Sequence, residues 1–454
     1  MALFLDGGSH LGGWRLPESD ATGGIDWPSY REVARRAEAA KIDMIFVADK
    51  LSLDDTFSGN FEDAVRHRLL AHPEPLTVLA ALAATTDRIG LGGTISSSYS
   101  NPYSVARQFA NVDHISGGRA AWNVVTSSAN SEARNFGRPV HYGHEERYRR
   151  AVEFIDVVTG LWDTWEDDVV RLDKESGVVG DPEKVHYLDH HGDFFDVRGP
   201  LNMPRPPQGN PVLIQAGVSE RFHDIAAQRA EVAFVVHQEM DRARRFYDSF
   251  KQKVQAFGRP ADAVKVLPGI VPVIAATDAE AHAKREELDR LILPKAGLMV
   301  MSTAMNLGLS HLDLDEPFPD VTDQITGSVG RFKFVIERAL AESMTVGQVA
   351  QWYARSLSFF APTGSPATVA GQLQTWYENR ACDGFVVLPP YLDVDEDLFT
   401  SEVVPILQER GLFRTEYPGT TLRETLGLDV PPNRFAGPPR RGAAGVAAAF
   451  SVTS

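Results

Sequence analysis

The chain has one cysteine, Cys382, which excludes an intramolecular disulfide and any cysteine-built metal site. Its surroundings, "ACDGFVVLPP", run straight into an apolar stretch and point to a buried structural thiol. Long hydrophobic runs are missing as well. None approaches the roughly 20 residues of a membrane span, and "MALFLDGGSH" has neither a basic start nor an apolar core of signal-peptide length. Positive charge is also scarce: 45 Lys and Arg stand against 61 Asp and Glu, a formal net charge of −16. Such a surface repels nucleic-acid phosphates and anionic membranes. These shortages predict a soluble, cytoplasmic protein with no nucleic-acid and no membrane partner.

Several catalytic signatures are absent too. There is no P-loop, no G-x-S-x-G elbow and no H-E-x-x-H helix. No metal is expected. The strand-like alternation around His190 and His191 turns their rings apart, and no carboxylate pattern joins them and His186 into a site. "DVDED" at 393–397 lacks the glycine and terminal glutamate of a calcium loop.

What the chain does have is alternation. Eight β-rich runs recur: "ALFLD" (2–6), "IDMIFVAD" (42–49), "RIGLGGTIS" (88–96), "RAAWNVVTS" (119–127), "PVLIQAG" (211–217), "EVAFVV" (231–236), "VKVLPGIVPVI" (264–274) and "DGFVVLPP" (383–390). Helical patterns fill most of the gaps, which is the signature of parallel βα units. Eight units in this order predict a (β/α)8 TIM barrel over residues 1–430, with insertions at about 165–210 and 277–362. A doubly wound sheet is the alternative, but no glycine-rich dinucleotide fingerprint follows the first strand. Residues 431–454, rich in Pro, Gly and Ala and without periodicity, read as a C-terminal tail.

In a barrel of this kind the site lies where the strands end. Asp49 ends the second run, Thr94 sits at the mouth of the third, and the fourth ends in Thr126 and Ser127. Gly217 and Ser219 follow the fifth at a helix start, where free N–H groups and the helix dipole favour an anion such as a phosphate. Each of these residues also has an ordinary reading, Asp49 as a turn and Ser219 as an N-cap. His144 and Tyr148 lie four apart near the start of a long helix, on one face. No nucleophile–base pair stands out. The residues themselves therefore indicate a mouth that binds a phosphate-bearing, mostly apolar ligand, such as a flavin or nucleotide cofactor that carries the chemistry.

Three long stretches carry a resemblance: "WNVVTSSANSEARNFG", "HYLDHHGDFFDVRGPLNMPRPPQGNPVLIQAGVSERF" and "VVPILQERGLFRTEYPGTTLRETLGL". They resemble the nitrilotriacetate monooxygenase, pristinamycin synthase A and dibenzothiophene-sulfone monooxygenase family of the bacterial-luciferase-like superfamily. The resemblance implies a luciferase-like barrel, reduced FMN (FMNH2) as co-substrate, O2, and NAD(P)H consumed by a separate flavin reductase. It places flavin contacts at Asp49, Thr94, Ser127, His144, Tyr148 and Ser219. His144 is then the candidate catalytic residue, because an imidazole can donate or accept a proton beside the reacting oxygen. The implied reaction is oxygenation of a small organic substrate with C–S or C–N cleavage, under a lid formed by 277–362. A homodimer or homotetramer is implied as well. A deazaflavin-dependent dehydrogenase and a non-catalytic flavin-binding protein are the alternatives. One departure is the segment "FLDGGSHLGGW", which lacks the cysteine of the long-chain alkane-oxidising member and argues against alkane hydroxylation.

Overall fold

Eight parallel strands close on themselves in the computed structural model, which describes residues 1–5, 7–19, 26–69, 71–217, 220–391 and 395–436. The strands are β1 (Ala2–Phe4), β2 (Met44–Val47), β3 (Gly90–Ser96), β4 (Ala120–Val125), β5 (Val212–Ala216), β6 (Val232–Val235), β7 (Lys265–Ile270) and β8 (Val386–Val387). Each pairs with its sequence neighbours, and β1 closes the ring on β8 through Ala2↔Val386 and Leu3↔Val387. The (β/α)8 TIM barrel is thus the fold, and every expected run contributes its strand.

Every strand is shorter than its run, and the seventh and eighth lose the most. The seventh stops at Ile270. From Ile270 the chain leaves the barrel: Ile270 bridges Phe360, the Val271 N–H donates to the Phe360 carbonyl, and Val273–Ile274 pair with Thr363–Gly364. The eighth is held to Val386–Val387 by Pro389 and Pro390.

Helices return the chain between strands: α1 (Trp27–Ala39), α2 (Pro75–Ala83), α3 (Pro102–Ser116), α4 (His144–Trp162), α5 (Glu220–Arg229) and α6 (Met240–Ala256). Their limits are written locally. The Asn101 side chain accepts the Ser104 N–H to start α3, Pro102 sets its first turn, and Gly117 in a left-handed conformation ends it. Between β7 and β8 come four more helices, α7 (Asp278–Arg290), α8 (Pro294–Met305), α9 (Val329–Ala341) and α10 (Val346–Ala354), before α11 (Pro366–Glu378). Helices α8 to α10 share a hydrophobic core of their own, with Met299, Met301, Phe332, Val335 and Tyr353 buried together and joined by Phe57 and Ala64. Residues 165–210 contain antiparallel bridges, Trp165↔Val185 and Val170↔Gly180, and the pair His190–His191 with Asp196–Val197.

Outside the strands, Trp122 packs among Phe109, Phe154 and Trp162, tying β4 to α3 and α4. A chain of aromatic rings links the strands from Phe4 to Phe46 (5.5 Å between centroids), Phe46 to Phe234 (5.9 Å) and Phe234 to Phe359, stacked at 5.7 Å and 9°. Gly269 makes room for that stack, because a Cβ there would lie 2.5 Å from the Phe359 ring. Cys382 is buried, and burial pushes its thiol pKa up. At the end of the visible tail, Asn433 donates to the carbonyls of Asp163 and Trp165, and Phe435 stacks on His186. Residues 437–454 lie outside the described residues.

At the opposite end from the strand termini, Arg119 is 2% exposed. Its guanidinium donates to the carbonyls of Ser116, Ile89, Ala83 and Thr86 and to the Thr86 hydroxyl. One cation thereby holds the end of α3, the turn after α2 and the start of β3 together. Lysine has three donors and a point charge in place of a planar fork. Arg119→Lys should therefore strand buried carbonyls and lower the midpoint of thermal unfolding by several degrees, roughly, at about 1–3 kcal/mol per orphaned acceptor; a midpoint within a degree of the parent would show that water replaces the missing donors.

Candidate functional site

The loop after β4 is built by a run of serines. The Ser97 N–H donates to the Val125 carbonyl, the Ser98 hydroxyl donates to the Thr126 carbonyl at 2.6 Å, and the Ser96 and Ser127 hydroxyls pair at 2.9 Å. Ser127 itself has φ 52, a left-handed conformation that non-glycine residues seldom adopt. The strand therefore turns sharply at Ser127, and its carbonyl accepts from Arg147 Nη1 at 3.3 Å. That arginine lies on the first turns of α4, which begins at His144. The His144 and Tyr148 rings lie 4.9 Å apart at 52°, as i,i+4 spacing requires.

These side chains line a cavity of about 310 Å³ over the C-terminal ends of β4, β5 and β6. Ser127, Ser128, His144, Arg147 and Tyr148 form one wall, and Gln215, Gly217 and Phe234 form the other, with Gly327–Arg331 of the insertion over them. Arg147 Nε and Gln215 Oε1 are buried there without hydrogen-bond partners. No carboxylate lines the cavity among the described residues. Hydroxyls, an imidazole and a buried guanidinium with no counter-charge are a donor set for an anion of phosphate type. Ser219 lies outside the described residues, as does Val218, while Gly217 before them borders the cavity.

Asp49 and Thr94 stand apart from that wall. Thr94 is buried in β3, and its hydroxyl accepts from Asn123 Nδ2 of β4 at 3.0 Å. Asn123 Oδ1 is buried with no partner. Asp49 follows β2, and its carboxyl pKa is pushed up to about 6, chiefly by burial and then by the nearby charges of Glu74 and Glu132; the Lys50 backbone N–H opposes them. The structure thus gathers Ser127, His144 and Tyr148 at one cavity and keeps Asp49 and Thr94 at neighbouring strand ends.

Three contributors were not singled out from sequence. Gln215 interrupts the apolar "VLIQA" of β5, and a polar residue in a buried strand was its signal. Arg147, next to Tyr148 in "HEERYRR", has no local signal of burial, yet it is 6% exposed. Arg331 comes from "TGSVGR" in the insertion, and nothing local marks it as reaching the barrel. The three histidines of the 165–210 excursion bind separate carboxylates, His186 with Glu166, His190 with Glu153 and His191 with Asp196. Among the described residues no group of three potential ligands could hold a metal ion, and no helix is long and apolar enough to cross a membrane.

The sequence pattern of luciferase-like monooxygenases matches residues 9–383. The N-acetyl-S-(2-succino)cysteine monooxygenase of Bacillus subtilis (strain 168) is 44% identical, covering 96% of this chain and 98% of that one. Component A of the nitrilotriacetate monooxygenase of Aminobacter aminovorans is 42% identical, covering 96% and 97%. A riboflavin lyase, solved with a modified FMN and its substrate riboflavin, superposes with a TM-score of 0.85 at 32% identity, over 94% of this chain and 96% of that one.

A carboxyl raised from 3.8 to about 6 by burial holds its proton longer folded than unfolded, so its contribution to stability falls as pH rises between those values and is flat above them. Asp49→Asn removes the buried charge. The flavin-free variant should melt higher than the parent at about pH 8 and together with it at about pH 4, a difference read by paired thermal scans; equal midpoints at both would place the Asp49 carboxylate in water.

Proposed function

The chain belongs to the luciferase-like monooxygenase family and is a flavin-dependent monooxygenase; from that premise we propose that it is the oxygenase component of a two-component system. It takes reduced FMN from a separate NAD(P)H:flavin reductase and uses O2 to oxygenate a small organic substrate, with cleavage of a C–S or C–N bond. The observation that carries this reading is the cavity of about 310 Å³ whose only charged groups, among the described residues, are basic. The phosphate of FMN fits that donor set, and the orphaned Arg147 Nε and Gln215 Oε1 are buried groups in want of a partner. The named relatives support the same reading, since one is itself a component A.

Within the site, Ser127, Tyr148, Gly217 and Ser219 bind the phosphate and ribityl chain, and Asp49 and Thr94 orient the ring from the neighbouring strands. Bound reduced FMN supplies the activation of O2 and the transfer of one oxygen atom. The insertion excludes water from the mouth. His144 holds or releases a proton at its imidazole beside the reacting oxygen. A homodimer or homotetramer is the proposed assembly.

Oxygen uptake by the purified chain with a flavin reductase, NADH and FMN tests the reading. Uptake should rise on addition of a sulfone, a thioether or an aminopolycarboxylate, with an oxygenated product recovered. Reduction of a deazaflavin with no substrate-dependent uptake would make the chain a dehydrogenase, and FMN binding without turnover would make it a carrier. His144→Ala should lower turnover by about tenfold or more while FMN affinity, read by flavin fluorescence, changes far less. Equal losses in both would leave His144 a binding residue only.

A further inference from the structure

Acidic residues outnumber basic ones by 61 to 45, and several arginines around the barrel mouth have a carboxylate beside them. Arg68 pairs with Asp54, Arg134 with Asp55, Arg229 with Asp156 and Arg355 with Asp289. Arg331, Arg242 and Arg245 do not: among the described residues none of the three has a carboxylate oxygen within 4.0 Å. All three face cavities. Arg331 borders the cavity of about 310 Å³, a second of about 320 Å³ that it shares with Arg242 and Arg245, and a third of about 260 Å³ beside Phe4, Trp14 and Leu388. Glu239 is the one carboxylate lining any of the three among the described residues.

Arg331 is also held in place. It lies in the first turn of α9, with its guanidinium 5.3 Å from the centroid of Phe359, and Phe359 stacks on Phe234 of β6. The ring chain of the barrel thus positions a cation on the insertion. Arg242 is steadied in the same way, 4.6 Å from the Phe334 ring. A chain of net charge −16 repels anions from most of its surface. A cleft that reverses that sign attracts and concentrates them.

We propose that the substrate is an organic carboxylate and that Arg331 is the residue that selects it. The inference rests on the reading of the cavity of about 310 Å³ as the FMN site, because Ser127, Arg147 and Tyr148 then serve the phosphate and leave Arg331 for a second anion. A substrate carboxylate meets the planar fork of Arg331 in two parallel hydrogen bonds. Its carbon chain lies along Phe4, Trp14 and Leu388, and Arg242 and Arg245 draw the anion toward the mouth. A neutral aromatic sulfone would leave three cavity arginines without a counter-charge.

Isothermal calorimetry on the FMN-saturated protein separates the cases, with nitrilotriacetate and N-acetyl-S-(2-succino)cysteine as anionic probes and dibenzothiophene sulfone as the neutral one. At least one anionic probe should bind, more weakly as salt is added. Arg331→Ala should weaken it by about tenfold or more, the loss of a charge-assisted pair, and by more than it weakens FMN; Arg331→Lys should recover part of the loss. Anion binding unchanged in Arg331→Ala, binding of the sulfone alone, or binding of no probe at all would each overturn the proposal. Failure of the parent to bind FMN would instead overturn the flavin reading beneath it, and a separate FMN titration reports that outcome.

Discussion

Hydrogen bonds between Ala2–Leu3 and Val386–Val387 join the two ends of the sheet, and with that seam closed no strand of the barrel has a free edge. Parallel strands in a closed ring all end on the same side. Residues nearly a hundred positions apart, such as Ser127 and Gly217, therefore border one space. The interior must then be filled. Phe4, Phe46, Phe234 and Phe359 form a connected set of rings, which leaves the mouth as the place where polar groups gather. At the opposite end Arg119 satisfies carbonyls of the turn after α2 and the start of β3.

Charge is sorted across this frame. Acidic residues predominate in the chain as a whole, while among the described residues the three cavities around Arg331 carry arginines and histidines and one carboxylate, Glu239. Exposed pairs such as Arg149 with Asp193 contribute little to stability. The unpaired arginines matter more, because each keeps its full attraction for whatever anion arrives. The proposed division assigns Arg147 and its neighbours to a phosphate and Arg331 to a carboxylate.

Much of this was legible in the sequence because the information is local. Alternating runs with turn residues behind them locate all eight strands, and the position of Ser127, His144 and Tyr148 after the fourth places them at the mouth. The largest errors of length came from runs that outlast their ladders: "VKVLPGIVPVI" looks continuous in hydrophobicity, yet from Ile270 onward the chain bridges residues 360–364. What stayed hidden depends on distant contacts. Nothing in "TGSVGR" says that its arginine lies on a ring from residue 359, and nothing around residue 147 says that α4 is turned so as to bury it. Asp49 and Thr94 were found as strand ends, but their distance from the cavity wall depends on barrel geometry that no single segment encodes.

The separate core beneath α8, α9 and α10 has a consequence for descent. Met301, Phe332, Val335 and Tyr353 pack mainly on one another, so a substitution that tilts α9 and re-aims Arg331 is absorbed within that cluster. Its link to the strands runs through the Arg331–Phe359–Phe234 contact. Selection can thus revise what the mouth accepts while the barrel below passes from ancestor to descendant unaltered.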